Sequence, residues 1–195
     1  AKKVMKRFAG VFDMTYKRFL DLQKAEAQAR EADIEAALER VRSRTMALHN
    51  SNDLLQVIEI LKDQLQQLGF ELDAVNFITD LNPDGYQMWL STPNGDILQK
   101  VYVPRIEYRG THMLEDAIKN RAEMASYVLS KEEKDIYFRN FFASPIFDET
   151  PQEFINKVFD QPAMAVSLLV LNSIVLTLVS FKGNPLNKNQ EYIVK

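Results

Sequence analysis

The sequence predicts an α+β protein: an antiparallel sheet with flanking helices, preceded by a long N-terminal coiled-coil helix. Three observations carry this. Residues 3–48 contain no proline and a single glycine, Gly10. Residues 74–103 alternate strand-like runs with the turn sequences NPDG and PNGD. Two nearly continuous apolar runs, AMAVSLLVL and SIVLTLVSF, then follow a stretch of amphipathic helical segments.

The N-terminal helix is expected from Lys3 to about Leu48, a length of about 70 Å at 1.5 Å per residue. Phe8, Phe12, Thr15, Phe19 and Leu22 recur at spacings of four and three, as do Ile34, Leu38, Val41, Thr45 and Leu48. That is the narrow seam of a coiled coil, and a lone helix would have nothing to cover it. The two seams differ in phase, and alanine-rich KAEAQAREADIEAA lies where the phase changes. With Ile34, Val41 and Leu48 at d positions, Arg30 falls at g and Glu35 at e, which pairs them across a parallel dimer.

A second helix is expected from a cap at Asn50 or Ser51 to Gly69, burying Leu54, Ile58, Leu61, Leu65 and Leu68. Strands follow at DAVNFITDL, YQMWLST and ILQKVYV, the ladder ending at Pro104. Residues 105–160 are expected to hold short helices at HMLEDAIKNRAEM, SKEEKDIYFRNFF and TPQEFINKVFD, the last two capped by Ser130 and Thr150. The two apolar runs then return as interior strands joined by a tight turn at Asn172-Ser173, and NPLNKNQEYIVK opens a final helix. Ile193-Val194-Lys195 lines up with Val4-Met5-Lys6, as expected of one unit in a tandem array joined by helices.

Composition narrows function. With 195 residues, 46% hydrophobic and 26% charged, the chain has material for one core plus an extended element. A net charge of −3 provides no basic field for nucleic acid or an anionic membrane. The longest apolar runs fall short of the ~20 residues a membrane span needs, and no signal peptide is expected at the start. Without cysteine there is no disulfide framework, thiolate metal site or thioether-linked chromophore. The two histidines, His49 and His112, lie outside any kinase-like context, and no phosphate-binding glycine loop, nucleophile elbow or metal-spaced cluster is present. No cofactor, metal or catalytic residue is expected.

In this order of helix, three strands, helical insertion, two apolar strands and exit helix, residues 50–195 resemble a GAF domain, a small-molecule sensor module related in architecture to PAS. The stretch from FAGVFDMTYKRFLDLQ to HNSNDLLQV resembles the linker that precedes GAF-like units in multi-domain sensor histidine kinases and cyclases of the Bacteroidetes type, with residues 1–49 as signalling helix. The resemblance implies a cytoplasmic, non-enzymatic homodimeric module, sensing a small molecule or relaying a conformational change to a downstream kinase or cyclase domain. NKVFD at Asn156–Asp160 and FDE at Phe147–Glu149 share pieces with the cyclic-nucleotide signature of GAF domains, but in inverted order.

A two-residue hairpin at Asn94-Gly95 would place Met88, Leu90, Val101 and Val103 on one sheet face and Trp89, Leu98, Lys100 and Tyr102 on the other. The GAF resemblance sets a pocket between the sheet and the inserted segments. Candidate ligand contacts are therefore Trp89, Tyr102, Arg105, Tyr108, Arg109, His112 and Tyr127, which suit a planar or anionic ligand. Their plainer roles are core aromatics and solvated arginines. The coiled-coil residues Phe8, Phe12, Phe19, Leu22, Ile34, Leu38, Val41, Thr45 and Leu48 form the expected dimer interface. Two competing readings are a structural dimerisation or spacer module with no ligand, and an enzyme using the 105–160 insertion.

Overall fold

A computed structural model of the chain describes residues 2–46, 53–91, 98–148, 150–172 and 174–194. Leu48, His49, the Asn50/Ser51 cap and the Asn94-Gly95 turn lie outside the described residues.

Helix α1, Lys2–Met46, runs unbroken for 45 residues, through Gly10. Helix α2, Asp53–Gln67, ends at Gly69, whose φ of +85° favours glycine. The α2 face expected to be buried is buried: Ile58 and Leu65 sit in a core cluster, with Leu54, Leu61 and Leu68 packed against it. Ile34 and Ala37 of α1 are buried as well, and with Val41 they meet Leu61, Leu65 and Leu68 of α2. The Arg40 guanidinium donates to the Gln64 side-chain oxygen beside them. Part of the lower seam is thus covered within the chain, at Ile34 and in part at Val41.

The sheet has six strands in the order β3-β2-β1-β6-β5-β4, and every neighbouring pair is antiparallel. They are β1 Ala74–Asn82, β2 Gly85–Ser91, β3 Leu98–Pro104, β4 Met124–Ser130, β5 Ala163–Val170 and β6 Val175–Ser180. Asn82 Oδ1 accepts the Asp84 N–H at 2.9 Å to close the β1–β2 turn. Gly85 follows at φ +155°, where a Cβ would collide with the Val103 carbonyl oxygen. The β2–β3 register pairs Met88 with Val101 and Trp89 with Lys100, so the facing residues are those the sequence parity predicts. Both apolar runs are interior strands buried along nearly their whole length.

Strand β4 corrects the helical reading of the insertion. MASYVLS places Tyr127 and Leu129 inside and Ser126 and Val128 outside, a period of two, and pairs with β5. Helix α3 is Arg109–Lys119, α4 is Lys131–Phe142 and α5 is Gln152–Asp160, with a single 3-10 turn at Pro145–Phe147 between the last two. Ser130 caps α4 in a full capping box with Glu133. Thr150 is not the α5 cap; that position is Pro151. Helix α6, Lys188–Val194, opens at Asn187, whose Oδ1 accepts from the Asn189 and Gln190 N–H groups at 3.0 Å.

The sheet carries a core on each face. One is the α2 side, joined by Ile193 and Val194 of α6. The other is enclosed by α3, α4, the 3-10 turn and α5. Lys134 ties α4 to α5: fully buried, it pairs with Asp135 at 2.6 Å and donates to the Val158 carbonyl at 2.7 Å. Lys131 reaches the neighbouring Phe159 carbonyl, so two cations meet the negative end of α5. Among the described residues no helix is long and apolar enough to cross a membrane.

The capping box is testable. The Ser130 N–H bonds the Glu133 carboxylate, which with the nearby Arg109 charge holds its pKa below the ordinary value of 4.5. A depressed carboxyl pKa contributes stability above the unfolded-state value and loses it as pH falls through the folded one. Ser130→Ala should cost about 1 kcal/mol in urea denaturation at neutral pH. Glu133→Gln should flatten the loss of stability below about pH 4.5.

Candidate functional site

The candidate site is a cavity of about 110 Å³ between the sheet and its helical cover. Its floor comes from alternate residues of four strands: Asn76 and Ile78 of β1, Met88 and Leu90 of β2, Val166 and Leu168 of β5, and Thr177 and Val179 of β6. Its roof is aromatic. Helix α4 presents Tyr137, Phe138, Phe141 and Phe142, and Phe147 and Phe154 close one side. Spacings of three and four on one helix put these rings on a single face. Tyr108 stacks on Tyr137 at 5.3 Å and Tyr137 on Phe141 at 5.5 Å between centroids, and Phe147 meets Phe141 at a tilt, 4.5 Å away.

Polar groups enter at few points. Asn76 Nδ2 donates to Thr177 Oγ1 at 3.2 Å across the β1–β6 ladder. Four tyrosines, Tyr86, Tyr108, Tyr127 and Tyr137, also line the cavity. The phenols of Tyr86 and Tyr137 are close enough for each to shift the other's pKa. The Tyr127 hydroxyl lies 3.5 Å from the Gly110 carbonyl oxygen. Gly110 is needed where it stands, because a Cβ there would meet the Tyr108 ring at 2.5 Å. Burial pushes the Tyr86 phenol up to about 12, partly offset by the neighbouring Tyr137 phenol. Burial likewise raises Tyr108, Tyr127 and Tyr137, so all four stay neutral at physiological pH.

Of the candidate ligand contacts, the structure brings Tyr108 and Tyr127 to the cavity. Trp89 and Tyr102 are on the opposite sheet face. Trp89 packs with Ile58 and Phe77 in the α2-side core, Lys100 lies over its ring at 4.9 Å, and Tyr102 is 44% exposed. Parity was right, but both faces are apolar and it could not say which one borders the cavity. Arg105 and Arg109 face outward in ion pairs, and His112 faces outward beside glutamates. Arg105 Nε meets Glu115 at 2.8 Å and its guanidinium also holds Glu107; His112 Nε2 lies 2.8 Å from Glu107; Arg109 lies 3.5 Å from Glu133 and donates to the Val128 carbonyl. Phe154 and Thr150 reach the cavity, whereas Asn156 is exposed. Tyr86 and Tyr137 escaped sequence reasoning, although the density of aromatics in DIYFRNFF exceeds what one buried helix face needs.

Among the described residues, no Asp, Glu, Lys, Arg or His lines the cavity, and no group of three or more potential metal ligands is found. The arrangement can enclose an uncharged molecule and offer it ring faces and phenol hydroxyls. No protein-family model and no curated protein matches the chain.

Trp89→Ala separates the two faces. At 6% exposure in the opposite core, its removal should cost about 3–5 kcal/mol, read as a lowered melting temperature. Retention of any co-purifying small molecule, measured by native mass spectrometry below that temperature, should be unchanged.

Proposed function

We propose that this chain is a non-enzymatic, GAF-like sensory module of a larger cytoplasmic signalling receptor. It senses a small molecule in the aromatic cavity and relays its occupancy through a dimeric helix to a downstream kinase or cyclase domain. The element order on which the GAF resemblance rests supports this, with β4 added inside the insertion.

One observation carries the reading. The cavity and the long helix are served by opposite faces of the same two strands. Asn76, Ile78, Thr177 and Val179 line the cavity, while Phe77, Leu176 and Leu178 belong to the α2-side core. Leu176 also borders a groove with Ile34 and Val41 of α1 and Ile193 of α6. A shift of one strand in response to a ligand is therefore felt one residue away by the packing that holds α1. A spacer would need no cavity on the far side of those strands.

The upper part of α1 supports the dimer. Phe8, Phe12, Phe19 and Leu22 are 72%, 74%, 52% and 57% exposed, a stripe of large apolar side chains with no cover from its own chain. A second α1 presents the same stripe, as a two-fold interface requires. Burial is worth about 1.5–3 kcal/mol per large side chain. Removing residues 1–24 should therefore weaken dimerisation by more than about a hundredfold, measured by light scattering across micromolar concentrations. A cysteine in place of Phe12 should crosslink to its own copy in a parallel pair. An unchanged dimer after truncation would remove the helix as the interface. Crosslinking only between Phe8→Cys and Leu22→Cys chains would reverse the helix direction.

A further inference from the structure

The cavity's chemistry defines what it can hold. A volume of about 110 Å³ is of the order of the ~150 Å³ apolar cavity that takes up benzene, so one six-membered ring fills it. Stacked rings on α4 favour a planar guest. A carboxylate or phosphate would enter without a countercharge, because Arg105 and Arg109 are turned outward onto glutamates.

The hydroxyls add one requirement. Tyr86 and Tyr137 both line the cavity, and each phenol can donate its O–H or accept a proton in a hydrogen bond. The Tyr127 hydroxyl holds the Gly110 carbonyl only at 3.5 Å, a bond long enough to exchange for a better one.

We infer that the ligand is a neutral, single-ring aromatic molecule bearing one hydrogen-bonding oxygen, a phenol or an aryl aldehyde or ketone, seated on the α4 rings with its oxygen at the Tyr86–Tyr137 pair. The inference rests on the cavity being the sensory site proposed above, and it fixes the ligand class.

The full 195-residue chain, carrying carbon-13 methyl-labelled methionine, would be titrated with phenol, benzaldehyde, toluene and benzoate. Met88 and Met164 line the cavity, whereas Met5, Met14 and Met46 lie on α1, so the methyl signals report where each probe binds. Phenol and benzaldehyde should shift the signals of Met88 and Met164, and benzoate, matched in size but charged, should bind at least about a hundredfold more weakly. In the double variant Tyr86→Phe, Tyr137→Phe, the affinity for phenol relative to toluene should fall about tenfold, with toluene little changed. Tyr86→Phe alone should show a smaller fall in the same ratio if the double variant does not fold.

Benzoate binding as tightly as benzaldehyde would overturn the inference and leave the cavity as a sensory site. An unchanged phenol-to-toluene ratio in the variants would overturn the tyrosine contact in the same way. Failure of all four probes to move Met88 or Met164 would overturn the inference and the sensory site together, while the dimer stands or falls on the truncation and crosslinking results.

Discussion

Side-chain parity in two interior strands governs the rest of the molecule. Residues of β1 and β6 alternate between two cores, so Asn76 and Ile78 face the aromatic cavity while Val75 and Phe77 face α2. A one-residue slip in either ladder would exchange the two sets and put a buried asparagine among aliphatic side chains. Local chemistry guards the register at the turn end of the β1–β2 pair. The ladder shifts between Thr79 and Asn82, Asp80 takes a φ of +53°, and Asn82 and Gly85 close the turn. The opposing residues Asn76 and Thr177 are bonded across β1 and β6, which penalises the slipped pairing a second time.

The helical cover is held by polar devices placed away from the cavity. Lys134 and Lys131 satisfy carbonyls at the end of α5, and the Ser130–Glu133 box satisfies the start of α4. Arg109 pairs with Glu133 and reaches the β4 backbone, joining α3 to the same corner. Charged groups thus hold the edges of the cover while its inner surface stays aromatic. That division explains why arginines near the predicted pocket in sequence point away from it in space.

Much of this was legible in the residues. The helix lengths, the NPDG turn, the β2–β3 parity and the two interior strands follow from periodicity and turn chemistry, which are local. The unreadable parts were choices among equivalent local patterns. Ile34 and Val41 fit a seam between chains as well as a seam against α2, and only tertiary packing shows that α2 lies beside them. MASYVLS is short and lies between two helical segments, so its period of two does not stand out as a strand. Trp89 was assigned to the correct face, but the face nearer the cavity depends on where α4 folds. Tyr86 and Tyr137 are 51 residues apart and meet only in three dimensions.

Helix α1 is anchored over a short part of its length. Contacts with α2 fall between Ile34 and Val41, about 10 Å along the axis, and Phe8 lies about 39 Å beyond Ile34. A stiff rod held in this way is a lever. A tilt that displaces Val41 by about 1 Å relative to Ile34 swings Phe8 through about 4 Å in the opposite sense, if the helix does not bend. A rearrangement no larger than the thermal motion of a packed side chain becomes, at the far end, a movement wide enough to exchange one set of helix contacts for another.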